Sequence, residues 1–454
     1  MSYNTKIKTN KNKKNRLNQT RKTHIINVHG DVISNDKEGW KVIHIYGKPY
    51  ERGFAHGYLL FDELRNTIKL FEFMIKEYIK VSLRKYLRVS NRLIKPVLKN
   101  NFPEFYEEIQ GISAGAKRKG LHISVDLLIG WNSYMSLYSY FKEGAPLKCS
   151  AFIATGSATK NGDIIMAHNT HTNLPEGFKH NIILYITPST GHPFVMQTSP
   201  GQIASVTDWF LCSTGIIGCE TTIANINYKP KFGYPFYCRI RQAMQYGESL
   251  DDYDKIMSEK NSGDYACSWQ FGNIKTNEIM LLELGLNIKS VKRTKNGVFY
   301  GMNSAMDDEL RTKETTDIDH TNITTSLGAR NKRLDELLNH KYKGKIDMSN
   351  AKKVLADHYD VYLRRDEMTS RCICKHVECD PTRTTRAPNY PFGCTDGKVV
   401  NSEMAKNLSF WGRFGSACGR VFNVKKYTKD NPEHLHFKPH LKDIPKNDWI
   451  IITN

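Results

Sequence analysis

The sequence places a thiol, an imidazole and an amide where a single β-hairpin would bring them together. The run Cys149-Ser-Ala-Phe-Ile-Ala-Thr155 is typical of a β-strand, and Lys160-Asn-Gly-Asp163 has the Asn-Gly pair of a hairpin turn. The returning strand is predicted at 164–168 and ends at His168, with Asn169 next to it. Such a set can carry out acyl transfer. Taken alone, however, a cysteine at the start of a strand is more often a small buried residue than a nucleophile.

Secondary-structure signals divide the chain into a mostly helical first third and a strand-rich remainder. Apolar residues recur at three-to-four spacing through 58–98, which is typical of helices, after a short strand at 40–46. Further helices are predicted at 103–119 and 125–142. Later strands are predicted at 149–155, 164–168, 181–186, 194–198, 203–211, 215–224, 267–273, 278–284 and 297–301, and later helices at 236–246, 250–259, 328–339 and 349–357. Long strands between helical blocks favour stacked sheets covered by helices.

Several further segments, in order along the chain, match the motifs of one family. They are Gly47–Gly57 (Gly-x-x-x-Glu-Arg-Gly-x-x-x-Gly), Gln197–Asp208, Gly215–Asn225, Asn261–Tyr265 followed by Trp269, and Gly393–Lys398 followed by Trp411. Together with the hairpin, they resemble the phospholipase B-like proteins, also called the lamina-ancestor family. These are distant relatives of penicillin acyltransferases, bile-salt hydrolases and acid ceramidase. The resemblance covers roughly residues 145–425.

The resemblance implies an α+β fold with four layers in the order αββα, the fold of N-terminal-nucleophile hydrolases. The composition and the resemblance together predict three regions: a basic tail at 1–30, a mostly helical, propeptide-like N-terminal segment at 31–148, and a catalytic αββα core at 149–454. We expect one catalytic unit that is cut into two fragments, which stay associated.

The mechanism implied by the resemblance makes the nucleophile the first residue of a new fragment. The Cys149 thiol attacks the carbonyl of Lys148, an N-to-S acyl shift follows, and hydrolysis releases Cys149 with a free α-amine. In unperturbed peptides the α-amine titrates near about 7.7 and the thiol near about 8.5. The amine can therefore act as the base for its own thiol near neutral pH, and the reaction needs no metal or cofactor.

Two more residues have catalytic roles by resemblance. His168 matches the histidine of the family's Ala-His-Asn-Thr run and is expected to orient the nucleophile and the substrate. Asn303, in Tyr300-Gly-Met-Asn303-Ser, matches the asparagine that helps to form the oxyanion hole. Losing such a donor typically costs roughly 3–4 kcal/mol.

Five residues are expected to bind substrate or to support the site: Asn169, His171, Thr221, Thr222 and Arg330. His171 stands where the family usually has tryptophan; a protonated ring would bind a phosphate or carboxylate, and a neutral ring would pack. Only one of Thr221 and Thr222 should face the site, because alternate strand residues point to opposite faces. Arg330 resembles the family's late arginine, which would support the site or clamp an acidic head group. Its alternative is a solvated charge at the start of a helix.

The substrate class stays open between two kinds of acyl bond. The family name suggests the ester bonds of phospholipids, whereas the nucleophile class equally suggests an amidase acting on N-acylated lipids or peptides. A third alternative is an inactive shell that binds a lipid or another partner. The joint presence of Cys149, His168 and Asn303 argues against the shell, which has no need of that set. A Ser-His-Asp lipase is the least favoured alternative.

A cluster of possible metal ligands lies late in the chain, at Cys372, Cys374, His376, Cys379 and Cys394. Its Cys-x-Cys-x-His-x-x-Cys spacing does not fit the paired cysteines of zinc knuckles. A local disulfide, as the resemblance suggests for this region, or plain thiols are favoured over zinc. No metal site is therefore predicted.

The charge of the chain is uneven. Net charge is +20 over 454 residues, and residues 1–24 contain eight Lys or Arg residues and no acid. This tail is predicted to be disordered. It is either a solubilising tail or an anchor for nucleic acid or an anionic membrane surface. No aromatic residue is interleaved with its lysines, so a dedicated single-strand nucleic-acid surface is not indicated.

Sequence signals leave the location and the oligomeric state open. No stretch of about 18 apolar residues predicts a transmembrane helix, and no apolar run follows the basic start as in a secretory signal. The family implies a lysosomal or secreted protein, whereas ten cysteines are too sparse for a disulfide scaffold and favour a reducing compartment. The Lys-, Asn- and Ile-rich composition is typical of AT-rich genomes, so a cytoplasmic or viral protein is the alternative.

Overall fold

The structure, a computed structural model, describes residues 27–142, 149–231, 233–317, 319–382 and 388–454. The basic tail up to residue 26 and the predicted cleavage partner Lys148 lie outside the described residues.

Short and medium-length strands run through most of the chain. In chain order they are β1 (Gly30–Lys37), β2 (Trp40–Gly47), β3 (Ser150–Gly156), β4 (Gly162–Asn169), β5 (His171–Asn173), β6 (Ile182–Pro188), β7 (Phe194–Thr198), β8 (Trp209–Cys212), β9 (Ile216–Thr222), β10 (Cys267–Asn273), β11 (Glu278–Leu284), β12 (Lys289–Thr294), β13 (Gly297–Gly301), β14 (Tyr359–Asp360), β15 (Arg365–Asp366), β16 (Phe392–Cys394), β17 (Asp396–Asn401), β18 (Phe410–Phe414) and β19 (Ile450–Ile452).

Helices fill the first third and recur between groups of strands. They are α1 (Pro49–Leu59), α2 (Phe61–Met74), α3 (Leu83–Leu93), α4 (Lys95–Asn101), α5 (Pro103–Arg118), α6 (Val125–Asn132), α7 (Tyr134–Phe141), α8 (Leu174–Gly177), α9 (Phe236–Tyr246), α10 (Leu250–Ser258), α11 (Asp308–Glu314), α12 (Ser326–Asp335), α13 (Met348–Leu355), α14 (Ser402–Lys406) and α15 (Val424–Asp430). Single π-helical turns extend α2 and α12, and a 3-10 helix spans Pro432–His440. Within the ranges described, none of these helices combines the length and the apolar character needed to cross a bilayer.

Two large sheets dominate the described part of the chain. Nine strands form the larger sheet, in the order β1-β2-β6-β7-β8-β9-β10-β11-β12, and six form the smaller one, in the order β13-β3-β4-β17-β18-β19. The β2–β6 pair is parallel, and its neighbours in the larger sheet are antiparallel. The predicted hairpin is confirmed: β3 pairs with β4, with Ser150 opposite Asn169 and Ala151 opposite His168.

The two sheets stack face to face and are covered by helices on both outer faces. One cluster of buried residues joins the facing sides of both sheets, including Ile153, Met166, Ile183 and Ile217. A second joins α1–α7, α9 and α10 to the outer face of the larger sheet. A third joins α12 and α13 to the outer face of the smaller sheet. The predicted α+β fold with αββα layers is therefore confirmed.

The Gly-x-x-x-Glu-Arg-Gly-x-x-x-Gly segment is explained by helix packing. In α1, Gly53 and Gly57 lie so close to α5 that an added Cβ would overlap the main chain of Glu108 or Ile112. Arg52 is buried beside them, and its Nε donates a 2.6 Å hydrogen bond to Glu108 Oε2. The motif thus packs α1 tightly against α5.

Several elements differ from the sequence-based expectation, and two of them lie in or beside the larger sheet. The strand predicted at 203–211 begins only at Trp209, because side chains hold the loop before it; Asn132 Oδ1 accepts a 2.9 Å hydrogen bond from Ile203 N. Strand β1 was not predicted, because most of its residues are polar and exposed. It is an edge strand that pairs with β2, so the N-terminal segment is built into the larger sheet.

Candidate active site

Cys149 lies directly before β3 and is fully buried. Its φ is +71°, in the left-handed region that residues other than glycine rarely adopt. Such a conformation persists only where the surrounding contacts hold it, and it is concentrated at functional sites. One of those contacts is a 2.8 Å hydrogen bond that Arg330 Nη1 donates to the Cys149 carbonyl.

The Arg330 guanidinium connects three parts of the candidate site. Nη1 also lies 3.1 Å from Ser150 Oγ, and Nη2 donates to Asn303 Oδ1 at 3.0 Å. Its full burial excludes the alternative of a solvated charge. Burial lowers the pKa of Arg330 to about 9, and the charge of a Cys149 thiolate opposes that shift. Arg330 is therefore protonated at pH 7, and a nearby positive charge stabilises a thiolate.

Asn303 follows β13 and also has a left-handed backbone, with φ at +79°. Arg330 binds its Oδ1, while its Nδ2 donates to Thr222 O at 3.0 Å. The Asn303 carbonyl accepts a 3.1 Å hydrogen bond from Ala224 N. These contacts fix which end of the amide is the donor, and they anchor it between β9 and α12.

Neighbouring threonines at the end of β9 have different surroundings, as strand alternation predicts. Thr222 Oγ1 lies 2.6 Å from the Tyr265 hydroxyl. Thr221 Oγ1 has no hydrogen-bond partner among the described residues, and it lies so close to Gly301 of β13 that an added Cβ there would overlap it. The Thr222 side chain thus faces Tyr265, whereas the Thr221 side chain faces β13 of the smaller sheet.

A buried acidic group that was not predicted from the sequence lies beside the site. The Tyr265 hydroxyl donates to Glu220 Oε1 at 2.7 Å and lies 3.4 Å from Asp208 Oδ2. Burial, and then the charges of Asp208, Glu220 and the Cys149 thiolate, raise the pKa of Tyr265 well above its usual range. All three residues belong to the segments that carried the family resemblance, so their positions, though not their contacts, were available from the sequence.

His168 points into the interface between the sheets. Its Nε2 lies 3.1 Å from Glu220 O of β9, and its Nδ1 has no hydrogen-bond partner among the described residues. Burial and the nearby charge of Lys398 lower the pKa of His168 well below its usual range. The ring is therefore neutral at pH 7 and links the nucleophile hairpin to the acidic group around Glu220.

Asn169 and His171 bind one carbonyl on the opposite side of the hairpin. Asn169 Nδ2 donates to Ile373 O at 3.3 Å, and His171 Nε2 lies 3.0 Å from the same oxygen. Asn169 Oδ1 accepts from Ser150 N at 3.2 Å. Burial, and then the charge of Arg330, lower the pKa of His171 well below its usual range, which favours the neutral, packing role. The structure thus brings Cys149, Asn303 and Arg330 together directly, and joins Asn169 to them through Ser150.

A buried ion pair next to the hairpin involves residues of two further motifs, Gln197–Asp208 and Gly393–Lys398. Lys398 Nζ donates to Asp396 Oδ1 at 2.7 Å, to Gln197 Oε1 at 2.7 Å and to Thr170 Oγ1 at 3.0 Å. All four side chains are buried. Because each hydrogen-bonding group has a partner, the network joins the two sheets at the end of β4 without leaving a charge unpaired.

One short motif matches a lipase signature but lies inside a helix, where it cannot present a nucleophile. Gly111-Ile-Ser-Ala-Gly115 has the Gly-x-Ser-x-Gly pattern of serine lipases. Its Ser113 lies inside α5, and Ser113 Oγ donates to Ile123 O at 2.5 Å. A lipase nucleophile requires a strand-to-helix turn, so the pattern here is a feature of helix packing.

Comparisons with known proteins give partial matches. No family model matches the sequence. The chain is 28% identical over 256 residues to an uncharacterized protein of Archaeoglobus fulgidus, which covers 51% of this chain and 41% of that protein. It is 25% identical over 279 residues to protein dcd1B of Dictyostelium discoideum (57% and 53%) and 24% identical over 272 residues to protein dcd1A of the same organism (53% and 58%). The chain thus spans about half the length of the curated relatives it matches.

Solved structures of conjugated bile acid hydrolase from Clostridium perfringens align with the chain at low similarity. One mutant gives a TM-score of 0.34 at 9% identity and covers 59% of this chain and 89% of that chain. A second variant gives a TM-score of 0.35 at 11% identity and covers 67% and 97%.

Proposed function

We propose that this protein is a cysteine N-terminal-nucleophile hydrolase that cuts itself before Cys149 and then hydrolyses an acyl amide or ester bond. The observation that carries the proposal is the double contact of Arg330. One buried guanidinium binds the carbonyl of a strained cysteine and the amide of Asn303, which are 154 residues apart in the sequence. A purely structural cysteine has no use for this arrangement.

In the proposed self-processing, Cys149 Sγ bonds to the carbonyl carbon of Lys148 while the peptide bond between the two residues breaks. The nitrogen of Cys149 takes a proton and becomes an amine. Water then hydrolyses the thioester, which gives a carboxylate at Lys148 and restores the thiol. The strained φ of Cys149 lies on the residue whose peptide bond is cut, so cleavage removes the constraint on that angle.

In the proposed catalytic cycle, the new α-amine accepts the thiol proton and Sγ attacks the acyl carbon of the substrate. Arg330 fixes Asn303 Oδ1 and thereby orients the amide NH2 group. One N–H of that group donates to Thr222 O, and we assign the other as a donor to the oxyanion. The leaving amine or alcohol takes the proton, and water hydrolyses the thioester. His168 is assigned to positioning, since its ring is held against Glu220.

Burial of the nucleophile supports cleavage as the activating step. Cys149 has no exposed surface in the uncut chain. A substrate cannot reach the thiol in that state, whereas cleavage before Cys149 frees its main chain on one side.

Both an amide and an ester are supported as the bond that is hydrolysed. A site that cuts its own peptide bond must stabilise the tetrahedral intermediate of an amide and protonate an amine, which supports N-acylated lipids or peptides as substrates. The resemblance to phospholipase B-like proteins supports the ester bonds of phospholipids. We therefore propose both classes, to be separated with a matched pair of substrates.

The first test is the intact mass of the purified wild type beside Cys149→Ala and a matched control, Cys238→Ala, which removes another buried thiol in α9. The wild type and the control should split into 1–148 and 149–454, which are about 17 and 35 kDa by share of the 52.2 kDa chain. Cys149→Ala should stay whole. A whole wild type at neutral and mildly acidic pH would contradict the proposal and favour the inactive shell.

The second test compares one fatty acid presented as an N-acyl amide and as a phospholipid ester. The cut wild type should release it from at least one of the two, and Cys149→Ala from neither. Release by Cys149→Ala at the wild-type rate would remove Cys149 from the mechanism.

A further inference from the structure

Four side chains from separate parts of the chain converge behind the candidate active site. His358 follows α13, Cys374 and His376 lie in the loop between β15 and β16, and Cys418 follows β18. Their potential ligand atoms all lie within 4.8 Å of one another. Cys374 and His376 are fully buried, and both cysteines are thiols. Two thiols and two imidazoles are the ligand set of a closed, structural zinc site.

The spacing of the ligand atoms fits one tetrahedral ion. Zinc bonds of about 2.3 Å to sulfur and about 2.0–2.1 Å to nitrogen place these ligands about 3.6 Å apart at the tetrahedral angle. His376 Nε2 lies 3.5 Å from Cys374 Sγ and 3.6 Å from Cys418 Sγ. The His358 and His376 rings are adjacent, with centroids 5.1 Å apart.

Surrounding groups orient the ligands as in known zinc sites. His376 Nδ1 lies 2.8 Å from Glu378 Oε1, so the carboxylate fixes the ring with Nε2 facing the two sulfurs. Such carboxylate–histidine pairs are a regular feature around protein-bound zinc. Glu378 is in turn 3.3 Å from Arg420 Nη1, and Ser416 Oγ lies 3.3 Å from Cys418 Sγ.

We propose that His358, Cys374, His376 and Cys418 bind one Zn²⁺ that holds the 358–380 loop against the end of β18. The site is structural, because four protein ligands complete the tetrahedron and leave no open position. His358 and Cys418 also line a surface groove, which gives an ion access to the ligands.

The neighbouring cysteines are held by other groups. Cys372 Sγ donates to Glu367 O at 2.9 Å, and Cys394 Sγ lies 3.3 Å from both Asp396 O and Ala417 N. This explains why the spacing of the local cysteine cluster did not indicate the site: half of its ligands come from outside that cluster.

The zinc site would act on the candidate active site through a single residue. Ile373 is next to Cys374, and its carbonyl binds Asn169 and His171 behind the nucleophile hairpin. Fixing Cys374 therefore fixes the carbonyl that orients Asn169, which in turn binds Ser150 N. The proposal itself is independent of any activity, because its readout is bound metal.

The experiment measures zinc per chain in the full-length protein purified without chelator or reductant, for the wild type, Cys374→Ser, Cys418→Ser and the control Cys379→Ser. Cys379 belongs to a second candidate set, with His376 and Glu378. We expect one zinc per chain in the wild type and the control, and at least a tenfold loss in the other two. Replacing zinc with Co²⁺ in the wild type should give the thiolate charge-transfer and tetrahedral d–d bands.

Three outcomes would overturn the proposal. One is wild-type protein without zinc in which peptide mapping finds a Cys374–Cys418 disulfide. Another is wild-type protein without zinc that does not take up Co²⁺ after reduction. The third is zinc that survives Cys418→Ser but is lost in Cys379→Ser, which would assign the metal to the second set. The wild-type measurements decide the question even if a serine variant does not fold.

Discussion

Arg330 binds the main chain of Cys149 and the side chain of Asn303 with the same guanidinium group. Its planar fork directs two N–H groups to acceptors in different directions, which a lysine ammonium cannot do at the same positions. Because Arg330 is fully buried, no water replaces a lost contact. At the scale of single residues, Arg330 therefore sets the relative positions of Cys149 and Asn303.

Arg330→Lys should slow self-processing by about a hundredfold while the fold is retained, since the loss of one positioned donor costs roughly 3 kcal/mol in a transition state. A time course of intact mass measures the rate. Arg333→Lys is the matched control in the same helix, where Arg333 pairs with Asp357 at 2.8 Å. Cleavage of Arg330→Lys at the wild-type rate would show that the guanidinium is not part of the mechanism.

His56 gives the protein a specific sensitivity to acid. It is buried in α1, where its Nε2 accepts a 2.8 Å hydrogen bond from Gly201 N. Burial, and to a smaller extent Arg241, lower the pKa of His56 to about 4. Its folded pKa lies below the unfolded value of about 6.5, so its contribution to stability is intact above about 6.5 and is lost as pH falls towards about 4.

Replacing His56 with glutamine keeps an acceptor for Gly201 N and removes the titration. The free energy of unfolding of His56→Gln should therefore fall less steeply between pH 6.5 and 4, by up to about 1.4 kcal/mol per pH unit. Urea unfolding of both proteins over that pH range measures the difference. Parallel curves would mean that His56 has the same pKa in the folded and the unfolded protein.

At the scale of elements, the close contact of β13 with β9 sets the distance between the stacked sheets beside the site. Gly301 ends β13 opposite Ala151 of β3, and Thr221 of β9 lies directly over it. Any side chain at position 301 would push the sheets apart where Asn303 reaches from one to the other.

Gly301→Ala should destabilise the protein by about 1–3 kcal/mol through overpacking, and should slow processing because Asn303 moves with the strand. Adding Thr221→Ala to the same chain should restore most of the stability and most of the processing rate, since it removes the atom that the new Cβ overlaps. Denaturant unfolding and intact mass report the two effects. Absence of rescue by Thr221→Ala would show that the Thr221 side chain does not set the spacing of the sheets at Gly301.

The hairpin and the layer order could be predicted because their signals are local: an Asn-Gly turn, alternating strands and helical periodicity. The contacts between the side chains of the candidate site could not be predicted from the sequence. Arg330 reaches Cys149 across 181 positions, and only motif resemblance pointed to either Arg330 or Asn303. Tyr265 and Glu220 lay within recognised segments, but no spacing rule shows that their side chains meet. Likewise, Cys418 lies 42 positions from His376, far outside the spacing of a zinc knuckle.

At the scale of the whole molecule, the residues before Cys149 form part of the architecture. Strands β1 and β2 complete one edge of the larger sheet, and β2 pairs with β6 along seven residue pairs. Helices α1–α7 share the largest buried cluster with that sheet. Cutting the chain before Cys149 breaks none of these contacts.

The two fragments of the processed protein should therefore elute together in size-exclusion chromatography, at the volume of uncut Cys149→Ala. They should separate only in denaturant, because separation exposes the apolar face of the larger sheet. Denaturing electrophoresis of the eluted peak checks that both are present. Elution of the 149–454 fragment alone would show that the N-terminal segment is released as a true propeptide.

The parallel β2–β6 pair then has a consequence for the working life of the molecule. Under the proposed processing, this strand pair is a contact within one chain before the cut and a noncovalent subunit interface after it. The smaller fragment would then be lost at its dissociation rate, and at low concentration a dissociated fragment would not rebind. Each copy would thus be made once as a single chain and serve as a heterodimer with a finite lifetime, renewed by synthesis and not by refolding.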